Sequence, residues 1–491
     1  MEMINLLAVS TAKNTDKILD CIIEQSKDQI NLTLHFGDST SDFKASSLVR
    51  MNTKVGRLGH IFERNKNFSG VDHQLMASKS FHKNLEILID QLYRHSSTYR
   101  YKSHNLNNLQ DYLDYYHILA DAIAEEIISN EINHVLFFNI PHLAYDTIIY
   151  QIALALKIDV TIVTQSLFPN TFFSLQLIES YGNFNQDSKQ TKHNHHKIPT
   201  LDLFYMKKIK QEKETPGRIN LKTIVHFILF MIFKKPLILF RPVYVWHIFS
   251  RVRKIYRSFP KWRDPFADFF HVDELAYLEH LAEFESSDFN VNDRFVYFAL
   301  PMQPEMTTSP IGGNYRDQVL AIEQLSQILP KDVKIFVKEN PKQGSYARGP
   351  LFFHRLSRIP SVIFVPSFAN TRELTEKSLF VATATGTVGW ESICLGKSVL
   401  VFGYAWYRNF PGVSEFRKDI SFDDIRRNRP KKEEIESCFS QLMELSHEGV
   451  VDRAYTHLVE KFDATKNSRN TAKVIEDLIL KKETPTFLSN S

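Results

Sequence analysis

Five short runs in the second half of the chain constrain the fold more than any other feature: Phe295 to Leu300, Lys334 to Val337, Val362 to Val365, Phe380 to Ala382 and Ser398 to Phe402. Segments suited to helices separate several of them, near Asp317 to Ile328, Leu351 to Arg358, Thr371 to Glu376 and Val388 to Leu395. Strands covered on both faces read as nearly continuous apolar runs, so this alternation predicts a parallel, doubly wound α/β sheet. In its last unit, Leu379 to Tyr407, a turn of small residues (Thr383, Thr385, Gly386, Thr387) joins strand to helix. Such a turn lets a ligand approach the backbone, and the helix start points free N–H groups at it, which suits an anion. The same residues also serve a plain β–turn–α–β crossover, and the turn by itself leaves both readings open.

The first half carries a second set of α/β signals. Ile4 to Val9 reads as a buried strand, Ser10 to Thr15 as a polar loop and Asp16 to Gln25 as a helix. Val135 to Phe138, Tyr145 to Leu156 and Val160 to Val163 form a βαβ pattern whose loop holds His142, with Asp146 one turn on. Open parallel sheets bind ligands at the carboxyl ends of their strands, which makes His142 and Asp146 catalytic candidates. A histidine bonded to backbone and a carboxylate favoured by the helix dipole are the competing readings.

At 491 residues the chain exceeds one ordinary hydrophobic core. We expect a Rossmann-like domain over 1–290, a second over 291–450, and a C-terminal helix and tail over 451–491 packing back on the first. Hydrophobic content of 43% and charged content of 24% exclude a disordered chain. A net charge of +4 gives no case for nucleic acid as a partner. Cys21, Cys394 and Cys438 are scattered and lack metal spacing, which points to reduced thiols. His193, His195 and His196 lie in a polar tract and are read as solvated, so no metal site is expected. The N-terminus lacks the basic and apolar regions of a signal peptide, and a cytoplasmic protein is expected.

Residues 215–263 hold no Asp or Glu, while basic residues from Arg218 to Arg263 alternate with Phe, Tyr and Trp. The longest uncharged run, Thr223 to Phe233, is far shorter than the roughly 20 residues a membrane span requires. The mixture suits a helical insertion lying on an anionic membrane surface; a core helix pair with solvated basic faces is the alternative.

Four loops should converge at the carboxyl edge of the second sheet. The first holds Gln303, Glu305, Thr307, Thr308, Ser309, Gly312 and Gly313; the second Lys338, Asn340 and Pro341; the third Ser367 and Asn370. The fourth is the small-residue turn, followed by Glu391, which could accept ribose hydroxyls. Lysine, amide, hydroxyls and a helix start form a phosphate-binding set that works without a metal or resident cofactor. Neither a GxxxxGK[ST] loop nor a GxGxxG fingerprint is present.

The runs FALPMQPEMTTSPIGG, VKENP and TATGTVGWESICLGKSVLVFG together resemble the capsule polysaccharide biosynthesis family, which includes bacterial β-Kdo transferases. The likeness covers Phe295 to Tyr407 and extends more faintly to NIPHLAYD. It implies two Rossmann-like domains of the GT-B type, the second binding a sugar-nucleotide donor and the first a glycan or lipid-linked acceptor. It further implies a glycosyltransferase using CMP-Kdo or a related CMP-nonulosonate in surface polysaccharide synthesis. Asn340-Pro341 stands where related transferases carry His-Pro, and asparagine can donate a hydrogen bond there but cannot be a cation. On this reading Lys338, Asn340, Thr385 and Thr387 stabilise the departing phosphate, Glu305 is the first choice of catalytic carboxylate and Asp146 the second. The alternatives are an enzyme using a nucleoside-diphosphate sugar, as transferase or epimerase, and a membrane-bound scaffold without catalysis.

Overall fold

The computed structural model describes residues 3–10, 13–37, 49–52, 108–185 and, apart from isolated positions, 288–489, together with scattered positions between 85 and 105 and between 198 and 286. Most of the basic, aromatic stretch 215–263 and the histidines at 193–196 lie outside the described residues.

The first sheet is built from β1 (Ile4–Val9), β2 (Ile30–Gly37), β3 (Val49–Asn52), β6 (His134–Phe137), β7 (Asp159–Gln165), β8 (Thr171–Leu175) and β15 (His447–Glu448). A separate two-stranded ladder comprises β4 (Arg100–Tyr101) and β5 (His104–Asn105). Strand order in the first sheet is β15-β8-β7-β6-β1-β2-β3, parallel from β7 to β3 and antiparallel where β8 meets β7 and β15. Every residue of β6 is buried, as a strand covered on both faces requires. On one face α1 (Lys13–Gln25) packs beside α10 (Ala464–Ile479), sharing Ile18, Leu19, Ile22, Ile475 and Ile479 with β1. On the other lie α2 (Leu109–Ser129) and α3 (Tyr145–Ala155). A capping box between Asn108 and Asp111 starts α2, and Asp463 caps α10 through the Thr465 and Lys466 N–H groups.

The second sheet runs β11-β10-β9-β12-β13-β14 and is parallel throughout. Its strands are β9 (Phe295–Ala299), β10 (Lys334–Lys338), β11 (Val362–Val365), β12 (Val381–Thr383), β13 (Val399–Val401) and β14 (Val413–Glu415). Helices α4 (Gln318–Ile328) and α5 (Pro350–Ser357) cover one face around Ile322, Leu325, Phe353 and Leu356. Helices α6 (Thr371–Lys377) and α7 (Thr387–Cys394) cover the other through Leu374 and Val388. Both sheets thus have the doubly wound α/β class expected from the alternation of strands and helices. The expected boundaries differ by a residue or two, except that α1 begins three residues earlier than read.

An aromatic cluster joins the two sheets. Phe168 meets Trp390, Trp406 and Phe439 edge-on, with centroids 6.1, 5.4 and 4.9 Å away. The hydrophobic cluster containing them also takes in Ile140 and Tyr145 from the first sheet's side and Ile311 and Tyr407 from the second's. Beside it Arg408 donates to the Glu179 carbonyl at 2.6 Å and pairs with Glu415 at 3.3 Å. After α8 (Phe422–Arg427) and α9 (Lys432–Leu445), the chain returns to the first sheet as β15. Among the described residues no helix is long and apolar enough to cross a membrane, and no cluster of three His, Cys, Asp or Glu could hold a metal.

Candidate functional site

The loop leaving β9 folds on itself because Thr308 bonds in three directions. Its hydroxyl donates to the Met302 carbonyl at 3.0 Å and accepts the Glu305 N–H at 3.1 Å, while its own N–H reaches the Glu305 carbonyl at 3.1 Å. Ser309 N–H joins the same carbonyl at 2.8 Å. This turn seats Glu305, half-buried, with one carboxylate oxygen accepting from the Thr307 hydroxyl at 3.3 Å. Gly312 is required where it stands: a Cβ would lie 2.1 Å from the Thr308 carbonyl oxygen.

The small-residue turn after β12 docks on that loop. The Thr385 hydroxyl donates to the Thr307 carbonyl, and Tyr404 N–H donates to Ile311 O at 2.7 Å. Thr383 ties the turn to β9 by donating to the Ala299 carbonyl at 3.1 Å and accepts the Gly386 N–H at 3.2 Å. Gly386 is the N-cap of α7, Thr387 its first residue, and the Tyr407 hydroxyl donates to the Gly386 carbonyl. The helix start therefore presents the N–H groups of Thr387 and Val388, and the half-buried Thr387 hydroxyl, at the sheet edge. Thr385, expected as a free donor, is engaged in joining the two loops.

Lys338, the last residue of β10, is buried and donates to the Thr371 hydroxyl at 2.7 Å at the start of α6. Glu391 lies on α7 within electrostatic reach of it. Although Glu391 is exposed as a residue, desolvation around its carboxyl raises its proton affinity and the Lys338 ammonium opposes that rise. Lys338 and Glu391 are thus coupled electrostatically near the turn.

The loop after β10 is joined to the loop after β9 by a buried polar network that sequence reading missed. Glu339 and Arg348 form an ion pair at 2.8 Å with both side chains 0% exposed. Arg348 also donates to Gln303 Oε1 at 3.1 Å and Gln318 Oε1 at 3.3 Å, and lies 4.3 Å from the centre of the Phe352 ring. The Gln343 side-chain amide brackets the Gln303 backbone, its oxygen accepting the Gln303 N–H and its nitrogen donating to the Gln303 carbonyl, both at 2.8 Å. Glu339 accepts the Asn340 N–H at 2.8 Å, and Asn340 O accepts from Gln343 N–H. Gln303 is therefore a buried brace, while Asn340 and Pro341 are half-buried at the edge. A charge at the end of an apolar strand signals that a partner exists, since burying it unpaired is prohibitive. Nothing in the sequence marks Arg348 as that partner. In the third loop, Ser367 is held by Glu285 and Asn370 caps α6 through the Arg372 and Glu373 N–H groups.

In the first unit, the Asp146 carboxylate accepts the N–H groups of His142, Leu143 and Thr147 at 2.9, 2.7 and 2.7 Å. Burial raises its proton affinity, and His142 and these N–H donors pull it back. Asp146 fixes the loop. His142 Nδ1 lies 2.7 Å from Ile140 O, so Nδ1 carries a proton, and in the neutral imidazole Nε2 is the nitrogen with the lone pair. The loop reaches the second unit through one short helical step: Gln91 bonds Ala144, and its neighbour Asp90 accepts from the Ser309 hydroxyl at 2.9 Å. The structure thus gathers the second unit's loops at one sheet edge and brings the His142 loop to the same side of the joint.

Among curated proteins, none matches the chain by sequence. The solved structure of Thermosulfurimonas dismutans KpsC, beta Kdo 2,7 transferase, is 9% identical, with 79% of this chain and 95% of that chain covered and a TM-score of 0.31. The beta Kdo 2,4 transferase of the same KpsC is 12% identical over 62% and 78%, with a TM-score of 0.27. UDP-GlcNAc 2-epimerase from Methanocaldococcus jannaschii is 10% identical over 97% and 99%, with a TM-score of 0.22. With TM-scores this low, none of the three bears on the reaction. Residues 285–447, which hold the whole second sheet and every site residue it contributes, match the family described as capsule polysaccharide biosynthesis protein.

Proposed function

We propose that the chain is a glycosyltransferase of surface polysaccharide synthesis that moves Kdo or a related nonulosonic acid from a CMP-linked donor to a glycan or lipid-linked acceptor. The observation that carries this reading is the α7 start, whose N–H groups meet the Thr387 hydroxyl at an edge inside the family match. The donor phosphate sits there, within reach of Asn340 and, after release from Thr371, Lys338. Glu391 accepts the ribose hydroxyls. The bond between anomeric carbon and phosphate oxygen breaks, and CMP leaves with the electron pair. The acceptor oxygen forms the new bond and gives its proton to His142 Nε2, the fixed lone pair on the first unit's side. Glu305 is the carboxylate beside the reacting carbon, Asp146 holds the base's loop, and no resident cofactor takes part. A screen of CMP-Kdo and CMP-nonulosonates against UDP- and GDP-sugars, read as nucleotide release, tests the reading. Release from a CMP donor, lowered on the order of a hundredfold by His142→Ala, is expected. Turnover of only a UDP- or GDP-sugar overturns the donor, and the absence of all turnover favours the scaffold.

The proposal includes a cytoplasmic protein held at the inner membrane surface. Leu221, Ile224, Ile228 and Ile232, spaced along one helical face, are all exposed, and Trp246 is 66% exposed. Apolar side chains exposed within a stretch free of acidic residues fit an anionic bilayer better than a core helix pair. The protein should co-sediment with phosphatidylglycerol vesicles, and Ile228→Asp should reduce this several-fold. Equal sedimentation of the two proteins would remove this face from the contact.

A further inference from the structure

The helical neighbours Asp90 and Gln91 touch both halves of the site. Gln91 is 1% exposed, and its Oε1 accepts the Ala144 N–H at 3.1 Å and the Thr147 hydroxyl at 2.7 Å. Its amide nitrogen is buried without a partner. Asp90 takes the Ser309 hydroxyl of the second unit. Ala144 itself has φ 72° and ψ −65°, with Tyr145 N–H bonded to Leu143 O at 3.1 Å. That is a γ-turn of the strained hand, which a residue with a Cβ keeps only when its surroundings impose it. Asp146 grips the turn from within by the His142 and Leu143 N–H groups, and Gln91 grips it from outside. A buried donor left unpaired is unfavourable, so the amide is tolerated here for its oxygen, which meets two donors at once.

We propose that Gln91 is a positioning residue: through Ala144 and Thr147 it sets where His142 presents Nε2, while Asp90 ties the same helical step to the Ser309 loop. The spacing between the two halves of the site is thereby held at one point. The inference rests on the reading of His142 as the base.

Gln91→Met tests it, because methionine keeps the volume while removing both the acceptor and the unpaired donor. The full-length variant is compared with wild type by urea midpoint, by the His142 imidazole shift against pH in NMR, and by CMP release from CMP-Kdo. The urea midpoint should fall modestly because the Ala144 N–H loses its acceptor, the His142 titration curve should move, and kcat should fall on the order of tenfold to a hundredfold with donor KM nearly constant. Adding Ala144→Gly should restore much of the loss, since glycine holds this φ unaided. If Gln91→Met does not fold, Thr147→Val removes one of the two bonds and should move the His142 curve in the same direction by less. An unmoved His142 curve in the variant, or a kcat loss that Ala144→Gly leaves untouched, overturns the proposal. Should wild type release no CMP, the reading of the reaction fails, and the His142 curve alone still decides the positioning.

Discussion

Replacing Arg348 with methionine should lower unfolding stability by ~3–5 kcal/mol, because it strands the Glu339 carboxylate in a site with 0% exposure. The urea midpoint should fall accordingly. The double variant Arg348→Met/Glu339→Gln should recover a large part, since the charge is gone while the Asn340 N–H keeps an acceptor. The effect should also extend to ligand binding. Arg348 braces Gln303, Gln303 pairs with Gln343, and Glu339 fixes the Asn340 backbone, so the loops after β9 and β10 lose their common anchor. Nucleotide affinity should therefore drop in the single variant even where it remains folded. A folded single variant as stable as wild type would show that the pair contributes nothing net.

Acidification should destabilise the first sheet through two buried histidines. His134 bonds the Thr161 hydroxyl at 2.9 Å and His447 bonds the Ser174 hydroxyl at 2.7 Å. Burial, chiefly, lowers each from 6.5 to about 4; at His134 Asp159 opposes the shift and Lys481 adds to it. The unfolded chain therefore binds protons that the folded chain refuses. Stability is fully present above the unfolded value near pH 6.5 and is lost as pH falls toward 4, by ~3 kcal/mol for each histidine at the end of that window. Urea melts of wild type and His447→Gln at pH 7.5 and 4.5 isolate one contribution, the variant being expected to lose less over the same interval. His447 lies in β15, where the returning chain closes the first sheet, so the release of α10 from α1 should accompany the loss. Equal losses in the two proteins would exclude His447 as a contributor.

How much of this was legible in the sequence follows from where each signal is stored. β1, β6, β9, β10 and β11 are apolar runs that locate themselves, and the turn between β12 and α7 is marked as a turn by its small residues. β14 could not be read, because Val-Ser-Glu at a sheet edge has no apolar pattern and exists only by pairing with β13. β15 is two residues long and borrows its partner from nearly three hundred residues upstream. The hydroxyls and amides of the site loops were visible as residue types, but not which were free. Thr385 is engaged by Thr307 O and Lys338 by Thr371, while Asp146 is surrounded by backbone donors. Arg348 and Gln91 escaped because their roles depend on partners that only folding brings near.

On the proposed function, the edge formed by α7 and its neighbouring loops binds a cytidine nucleotide. Calorimetric titration of the folded wild type with CMP, UMP and GMP measures this most directly, with Gly386→Val as the control. A valine side chain at Gly386 would press on the Thr383 hydroxyl, 2.9 Å from the first added carbon. One CMP site per chain, weaker binding of UMP and GMP, and loss of CMP affinity in the folded variant are expected. Binding of CMP unchanged by Gly386→Val, or no nucleotide binding by the folded wild type, would contradict the proposed function.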